Sequence, residues 1–329
     1  MIIAKTPMRI SLGGGGTDLP SYYEKREGFL IGGAIDKHVY VCVNEEFFGK
    51  YSLKYSKIEK TKNIESINHI LIKETLKYLN IKPGVEITSL ADIPAKTGMG
   101  SSGAFLISLL NALYKYSGVM YPQRTLAEDG CKLEIDIMKE HEGKQDKYVC
   151  AIGGIKAYTF HKDGNVSIIP LANEDLIKSE LEENLYLFYT GNLRKEKASD
   201  AIKEQDEKIK KDNSKMLEYM DEIKEIGIQS KKALEDCNFD YYGSLLHRHW
   251  VIKKKYSSKS SNENIDRIYD FALKKGAIGG KMIGAPGGGF IMFYCNEPPK
   301  EKWNFLHAMK DIGLKRILFK FDMEGARIL

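Results

Sequence analysis

The chain has 329 residues, of which 43% are hydrophobic, with 50 basic and 45 acidic side chains and a formal net charge of +5. That apolar content fills one large core or two smaller ones, and the evenly mixed charge is not the basic footprint of a nucleic-acid binder. No run in the sequence reaches the ~18 apolar residues of a membrane span.

The N-terminus, MIIAKTPMRISL, lacks a basic-then-apolar leader and reads as a strand, so a cytoplasmic protein is the expectation. Five cysteines with no C-x-x-C pair point to neither a disulfide framework nor a zinc site and fit a reducing compartment. Residues 2–12 form a strand interrupted at Pro7, with Arg9 near its end. The run Gly13-Gly14-Gly15-Gly16-Thr17-Asp18-Leu19-Pro20 lets backbone approach a ligand closely. It also fits a plain turn with Asp18 as N-cap and Pro20 in the first helical turn. Residues 29–46 read as two strands broken by glycine, 66–80 as a helix and 84–90 as a strand.

The stretch 93–105, IPAKTGMGSSGAF, is the most informative. Pro94 leads in, Gly98, Gly100, Ser101, Ser102 and Gly103 follow, and an apolar run begins at Ala104. This is a strand end, a glycine turn and the first turn of a buried helix. Such a turn aims free N–H groups one way at the positive end of a helix dipole, the recipe for a polyphosphate cradle. No Lys follows the last glycine, so this is not the G-x-x-x-x-G-K-[ST] loop.

Residues 126–141 read as a helix carrying Glu128, Glu134 and Glu140, closed by Gly143 as C-cap. Asp146 then falls in a loop, where it is either a turn former or a catalytic carboxylate. Strands follow at 155–160, 166–170 and 185–189, with a domain boundary near residue 180. Residues 194–236 are strongly charged, and Ile202, Ile209, Met216 and Ile223 recur every seven positions. This predicts one amphipathic helix or two, packed on the body; a dimer arm, and with it a homodimer, stays open. Residues 241–256 are helical, and His247 and His249, two apart, read as surface or core histidines rather than metal ligands. A helix at 265–275 leads to a third glycine cluster, Gly276 to Gly289, read as a turn into a strand at 290–294. A helix at 303–312 and a strand at 317–321 close the chain.

Three glycine turns read as parts of one cleft. A carboxylate beside a serine hydroxyl and phosphates suits Mg²⁺, and a second carboxylate can take the proton of an acceptor hydroxyl. A nearby Arg stabilises charge on a phosphoryl group in flight and keeps that carboxylate ionised. Glu134 and Asp146 are the candidate carboxylates, and the set describes phosphoryl transfer.

The segments PMRISLGGGGTD, IPAKTGMGSSGAF and KMIGAPGGGF resemble, in order and spacing, the three motifs of the GHMP kinases, the family of galactokinase, homoserine kinase, mevalonate kinase and phosphomevalonate kinase. The resemblance covers essentially the whole chain. It implies an α+β fold of two domains, 1–180 and 181–329, with the active site in the cleft between them. It implies ATP- and Mg²⁺-dependent phosphorylation of a sugar hydroxyl, with neither nucleic acid nor membrane as partner. On that resemblance Pro94, Gly98, Met99, Gly100, Ser101, Ser102 and Gly103 would cradle the triphosphate, and Ser102 and Glu134 would hold Mg²⁺. Asp146 would be the base and Arg9 its partner, while Gly15, Gly16, Thr17, Asp18, Gly287 and Gly288 would face the sugar. Segments 143–146 and 189–194 resemble a branch that phosphorylates the anomeric hydroxyl of a heptose 7-phosphate. Arg194, Lys253 and Lys281 are the candidate cations for the substrate's own phosphate. Two features depart from the family. Galactokinases carry Glu-His where Gly15 and Gly16 stand, and Pro286 replaces a usual glycine and removes an N–H. A kinase for fucose or a uronic acid, and a non-catalytic sugar and ATP sensor, are the alternatives.

Overall fold

An antiparallel pair, β1 (Ile2–Gly13) and β2 (Gly28–Glu45), forms the spine of the molecule. The structure is a computed structural model and describes residues 1–191, 198–257, 260–284 and 288–329. β1 continues through Pro7, where a register shift between Pro7 and Met8 accommodates the missing N–H. β2 is one strand of 18 residues rather than the expected pair. Its first half, glycines included, pairs with β6 (Ile155–Phe160), and its second half pairs with β5 (Val85–Ala91).

Beyond β5 the sheet continues through β3 (Tyr51–Lys54) and β4 (Ile58–Thr61); β7 (Val166–Pro170) extends it from β6. The last strand, β12 (Arg327–Ile328), returns to the edge of β1. A second, antiparallel sheet has the order β11 (Lys315–Ile317), β8 (Leu185–Tyr189), β10 (Phe290–Tyr294), β9 (Gly279–Met282). Gly279 and Gly280 are thus strand residues, not part of the expected turn. The strand expected at 317–321 stops at Ile317, and Phe321 makes an isolated bridge to Ile35 of β2 instead.

The helices are α1 (Pro20–Arg26), α2 (Ile70–Tyr78), α3 (Ser101–Tyr116), α4 (Gln123–Cys131), α5 (Gln145–Ile152), α6 (Glu174–Asn184), α7 (Ala198–Lys210), α8 (Ser214–Glu235), α9 (Phe239–Tyr256), α10 (Glu263–Lys274) and α11 (Pro299–Asp311). The single helix expected over 126–141 is instead α4 followed by a π-helical turn, Lys132–Ile137. Met138 N–H reaches back five residues to Leu133 O at 2.9 Å, and apolar spacing alone does not separate that wider coil from an α-helix. The helix therefore ends before Gly143, which is not its C-cap. Asp146 lies in the first turn of α5, not in a loop.

The charged stretch from Ala198 to Glu235 is a helix pair. Asn213 separates α7 from α8 and caps the latter by accepting from Met216 N–H at 2.9 Å. The apolar stripe of α8 is buried against β1, β2 and α9, so within this chain it is used for internal packing. One apolar core runs from Met8, Ile10 and Leu12 of β1 through Ile223 and Ile226 of α8 to Met292 of β10. α3 is buried along most of its surface, Leu106, Leu109, Leu110 and Leu113 included. Each such leucine contributes about 1.5–3 kcal/mol on burial.

α5 seats directly on β2 at Gly32, where any Cβ would overlap Val149 Cγ2. That close approach fixes the helix that carries Asp146. A Gly32→Val substitution should lower stability by about 1–3 kcal/mol through overpacking. The readout is the urea unfolding midpoint, and an unchanged midpoint would show that α5 does not depend on this contact.

Candidate active site

A cavity of about 820 Å³ opens where β1, the 93–100 loop, α3, α5, α7, α9 and β9 meet. Its floor is the N-terminus of α3. Gly100 is the N-cap residue in the left-handed region at φ 70°, no side chain caps the helix, and Ser101, Ser102 and Gly103 line the cavity. The first-turn N–H groups have no intrahelical partner and stand at the positive end of a 16-residue dipole. The third glycine cluster supports this loop from behind. A Cβ on Gly98 would overlap Ile283 O, and one on Gly284 would overlap Gly98 O, so backbone lies on backbone.

Arg9 ties this loop to α5. Its Nε donates to Asp146 Oδ1 at 2.8 Å, and Nη2 lies 2.7 Å from the same oxygen. Nη1 donates to Gly98 O at 2.6 Å, and the backbone N–H donates to Met99 O at 3.0 Å. Arg9 is buried; burial opposes its charge, but the Asp146 carboxylate outweighs that and raises the guanidinium pKa. Gly103 makes room for the arrangement, since a Cβ there would come within 2.7 Å of Asp146 Cβ.

Asp18 is not the N-cap of α1: Leu19 holds that position and makes no side-chain cap. Asp18 instead reaches across to α5, where Oδ2 accepts from Gln145 N–H at 2.9 Å and Oδ1 accepts from Gly16 N–H at 3.1 Å. Burial raises its pKa, and the Asp146 charge adds to the rise. Gly143, expected as a cap, lies against this carboxylate.

The π turn presents Glu134, which is buried. Its Oε1 accepts from Ser102 Oγ at 3.4 Å and its Oε2 from Lys147 Nζ at 2.7 Å. Lys147 is 1% exposed; burial disfavours its charge, yet Glu134 and then Glu142 more than compensate and raise its pKa. Glu142 also lines the cavity. Burial pushes its pKa up to about 8, aided by the charges of Glu134, Asp146 and Asp18 and opposed by Lys147. A hydroxyl and a carboxylate oxygen beside a phosphate cradle suit Mg²⁺, which keeps waters and takes few protein ligands. Among the described residues no group of three or more His, Cys, Asp and Glu could hold a metal by itself.

The opposite wall comes from α9 and β9. Lys281 is 3% exposed, and its Nζ lies 3.5 Å from Ser11 Oγ. Burial lowers its pKa well below the usual lysine value, with Lys253 and Arg9 adding to the drop. Lys253 Nζ donates to Gly284 O at 2.6 Å. His249 is buried beside these cations, and its Nδ1 has no partner. Ile202 and Gln205 of α7 close the cavity over Gly16. Tyr55, His69, Leu71, Phe105 and Met138 also line the cavity.

Thus Arg9, Gly15, Gly16, Asp18, Gly98, Gly100, Ser101, Ser102, Gly103, Glu134, Asp146, Lys253 and Lys281 all face one cavity. Pro94, Thr17, Met99 and Gly288 do not line it. Thr17 Oγ1 locks its own turn: it lies 2.9 Å from both Gly14 O and Phe29 O, either of which can take its one proton, and accepts from Phe29 N–H, while Met99 serves through its carbonyl. Arg194 and Gly287 lie outside the described residues. Sequence reasoning missed Lys147, Gln145, His249 and Ser11. The one available signal was the adjacency of Gln145 and Lys147 to Asp146.

The models of the GHMP kinases N-terminal and C-terminal domains match residues 67–154 and 230–309. The chain is 28% identical to D-glycero-alpha-D-manno-heptose 7-phosphate kinase of Campylobacter jejuni, over 99% of this chain and 98% of that one. It is 30% identical to mevalonate kinase of Methanocaldococcus jannaschii, over 70% of this chain and 68% of that one. Among solved structures, a D-glycero-D-manno-heptose 1-phosphate kinase from Bacteroides thetaiotaomicron superposes with a TM-score of 0.81 at 23% identity, covering 100% and 99% of the two chains. At that identity the likeness shows the fold alone. The chain belongs to the GHMP kinase family. It is an ATP-dependent kinase.

The folded state holds a proton on Glu142 that the unfolded chain, with an ordinary carboxylate pKa of 4.5, has lost. Stability from this group is therefore greatest below 4.5 and falls as pH rises toward about 8. A Glu142→Gln variant should melt close to the wild type near about pH 5 and above it near about pH 9. A constant gap in melting temperature across that range would remove Glu142 from this account.

Proposed function

We propose that this kinase transfers the γ-phosphoryl group of ATP to the anomeric hydroxyl of D-glycero-D-manno-heptose 7-phosphate. The products are ADP and heptose 1,7-bisphosphate, destined for nucleotide-activated heptose in the cytoplasm. The observation that carries the reading is the Arg9–Asp146 pair at the mouth of an uncapped helix N-terminus. The similarity to a heptose 7-phosphate kinase along nearly the full length of both chains supports the choice of sugar. Among the described residues no helix is long and apolar enough to cross a membrane.

Asp146 accepts the proton of the anomeric hydroxyl as its oxygen bonds to the γ-phosphorus and the bond to the β-phosphate oxygen breaks. Arg9 orients the Asp146 carboxylate and offers its charge to the phosphoryl group in flight. The Ser101–Gly103 N–H groups receive phosphate oxygens. Tyr55, Leu71 and Phe105 on the cavity lining offer apolar surface for the base. Ser102 and Glu134 would hold Mg²⁺, which supplies charge neutralisation on the phosphate oxygens. Asp18, Gly15 and Gly16 bound the sugar. Lys253 and Lys281 receive the 7-phosphate, since both lysines line the cavity and a dianion there offsets the cost of burying the Lys281 charge. Residues 1–180 form the nucleotide-side domain and 181–329 the acceptor-side domain.

An Asp146→Asn variant should lose about 10²–10⁴-fold in turnover while still binding nucleotide. Full turnover would remove Asp146 from the mechanism. Lys253→Met and Lys281→Met should each raise the Michaelis constant for the sugar phosphate about tenfold, with little change for ATP. Turnover of a free sugar such as fucose, with unaltered constants in both variants, would contradict the phosphate pocket and favour the unphosphorylated-sugar reading.

A further inference from the structure

The side-chain amide nitrogen of Gln145 has no partner. Its Nε2 is buried without a hydrogen bond, the residue is 7% exposed, and it lines the cavity. An unmade buried donor costs about 1–3 kcal/mol, and native interiors keep few of them. The rest of the residue is fixed. Its backbone N–H donates to Asp18 Oδ2 at 2.9 Å, and it opens α5 one position before Asp146. Its side chain lies along the first glycine turn. A Cβ on Gly15 would come within 3.5 Å of Gln145 Oε1 and within 2.5 Å of Ser11 Oγ. The Gln145 amide thus lies within ordinary contact range of Gly15, whose missing Cβ leaves room for Ser11 Oγ.

We propose that Gln145 Nε2 donates a hydrogen bond to an oxygen of the bound acceptor close to the hydroxyl that is phosphorylated, which makes Gln145 a specificity-determining residue. Its Cα is one peptide, ~3.8 Å, from that of Asp146, so the oxygen it reaches belongs to a carbon near the reacting centre. The two neighbours divide the work: Asp146 accepts from the acceptor and Gln145 donates to it. The proposal rests on the sugar-kinase reading given above. A site built to hydrogen-bond an oxygen rejects an analogue that lacks it far more strongly than a merely apolar pocket would.

The test compares kcat/KM for heptose 7-phosphate and its monodeoxy analogues in the wild type, in Gln145→Met, which keeps the length and removes the donors, and in Gln145→Asn, which retracts the amide. The wild type should disfavour one monodeoxy analogue at least about tenfold. Gln145→Met should lose about tenfold on the parent sugar and erase the discrimination at that one position, leaving the KM for ATP unchanged. Gln145→Asn should behave the same way and serves if the methionine variant does not fold. Unaltered discrimination at every position in both variants, or an equal loss on all sugars, would overturn the proposal. If the wild type fails on heptose 7-phosphate but turns over another sugar, the choice of heptose fails, and the same comparison on that sugar's deoxy series still decides the role of Gln145.

Discussion

The site depends on one ion pair, between buried Arg9 and the cavity-facing Asp146. Arg9 is anchored on the central strand pair, yet its side chain is committed entirely to other elements: Asp146 at the start of α5, and Gly98 O of the glycine loop. It therefore sets the distance between the carboxylate and the N–H groups of α3. A guanidinium suits this because its planar fork serves several acceptors at once and stays charged when buried. Removing Asp146 would leave the buried Arg9 guanidinium without its carboxylate, at a cost of up to about 3–5 kcal/mol. The pair thus contributes to the fold and to the electrostatics of the cavity together.

Around that pair the glycines act mainly by omission. Gly98 and Gly284 let the central and third clusters lie backbone to backbone, Gly103 lets α5 approach α3, and Gly143 leaves space for the Asp18 carboxylate. Asp18 in turn satisfies the first N–H of α5 and fixes the neighbour of Asp146. The first cluster divides its labour. Gly14 packs against α8, where a Cβ on Gly227 would come within 2.9 Å of Gly14 Cα, while Gly15 and Gly16 face the cavity. Close approach, more than ligand contact, accounts for much of the glycine content of these motifs.

The motifs themselves were legible because their function demands local chemistry: a glycine turn before an apolar helix, an Arg near the end of a strand, an acid beside a glycine. Strands 155–160, 166–170 and 185–189 were legible as strands and appear at those bounds. What was not legible depends on long-range partners. Asp18 looks like a local cap and is a cap, but for a helix more than a hundred positions away. Lys147 looks like any surface lysine until Glu134 meets it in the interior. The π turn that aims Glu134 has the same apolar spacing as an α-helix, so its register was hidden. α6 was missed because Ile177 and Leu181 give too thin a stripe among its charges.

The central claim is that this cavity joins a phosphoryl group to the anomeric oxygen of an already phosphorylated heptose. The most direct test is ³¹P NMR of a reaction holding the protein, ATP, Mg²⁺ and D-glycero-D-manno-heptose 7-phosphate. The account predicts a second sugar phosphorus signal coupled to the anomeric proton, appearing in step with ADP, while the 7-phosphate signal persists. A new phosphate on any other carbon, or ADP formed without a second sugar phosphate, would contradict it.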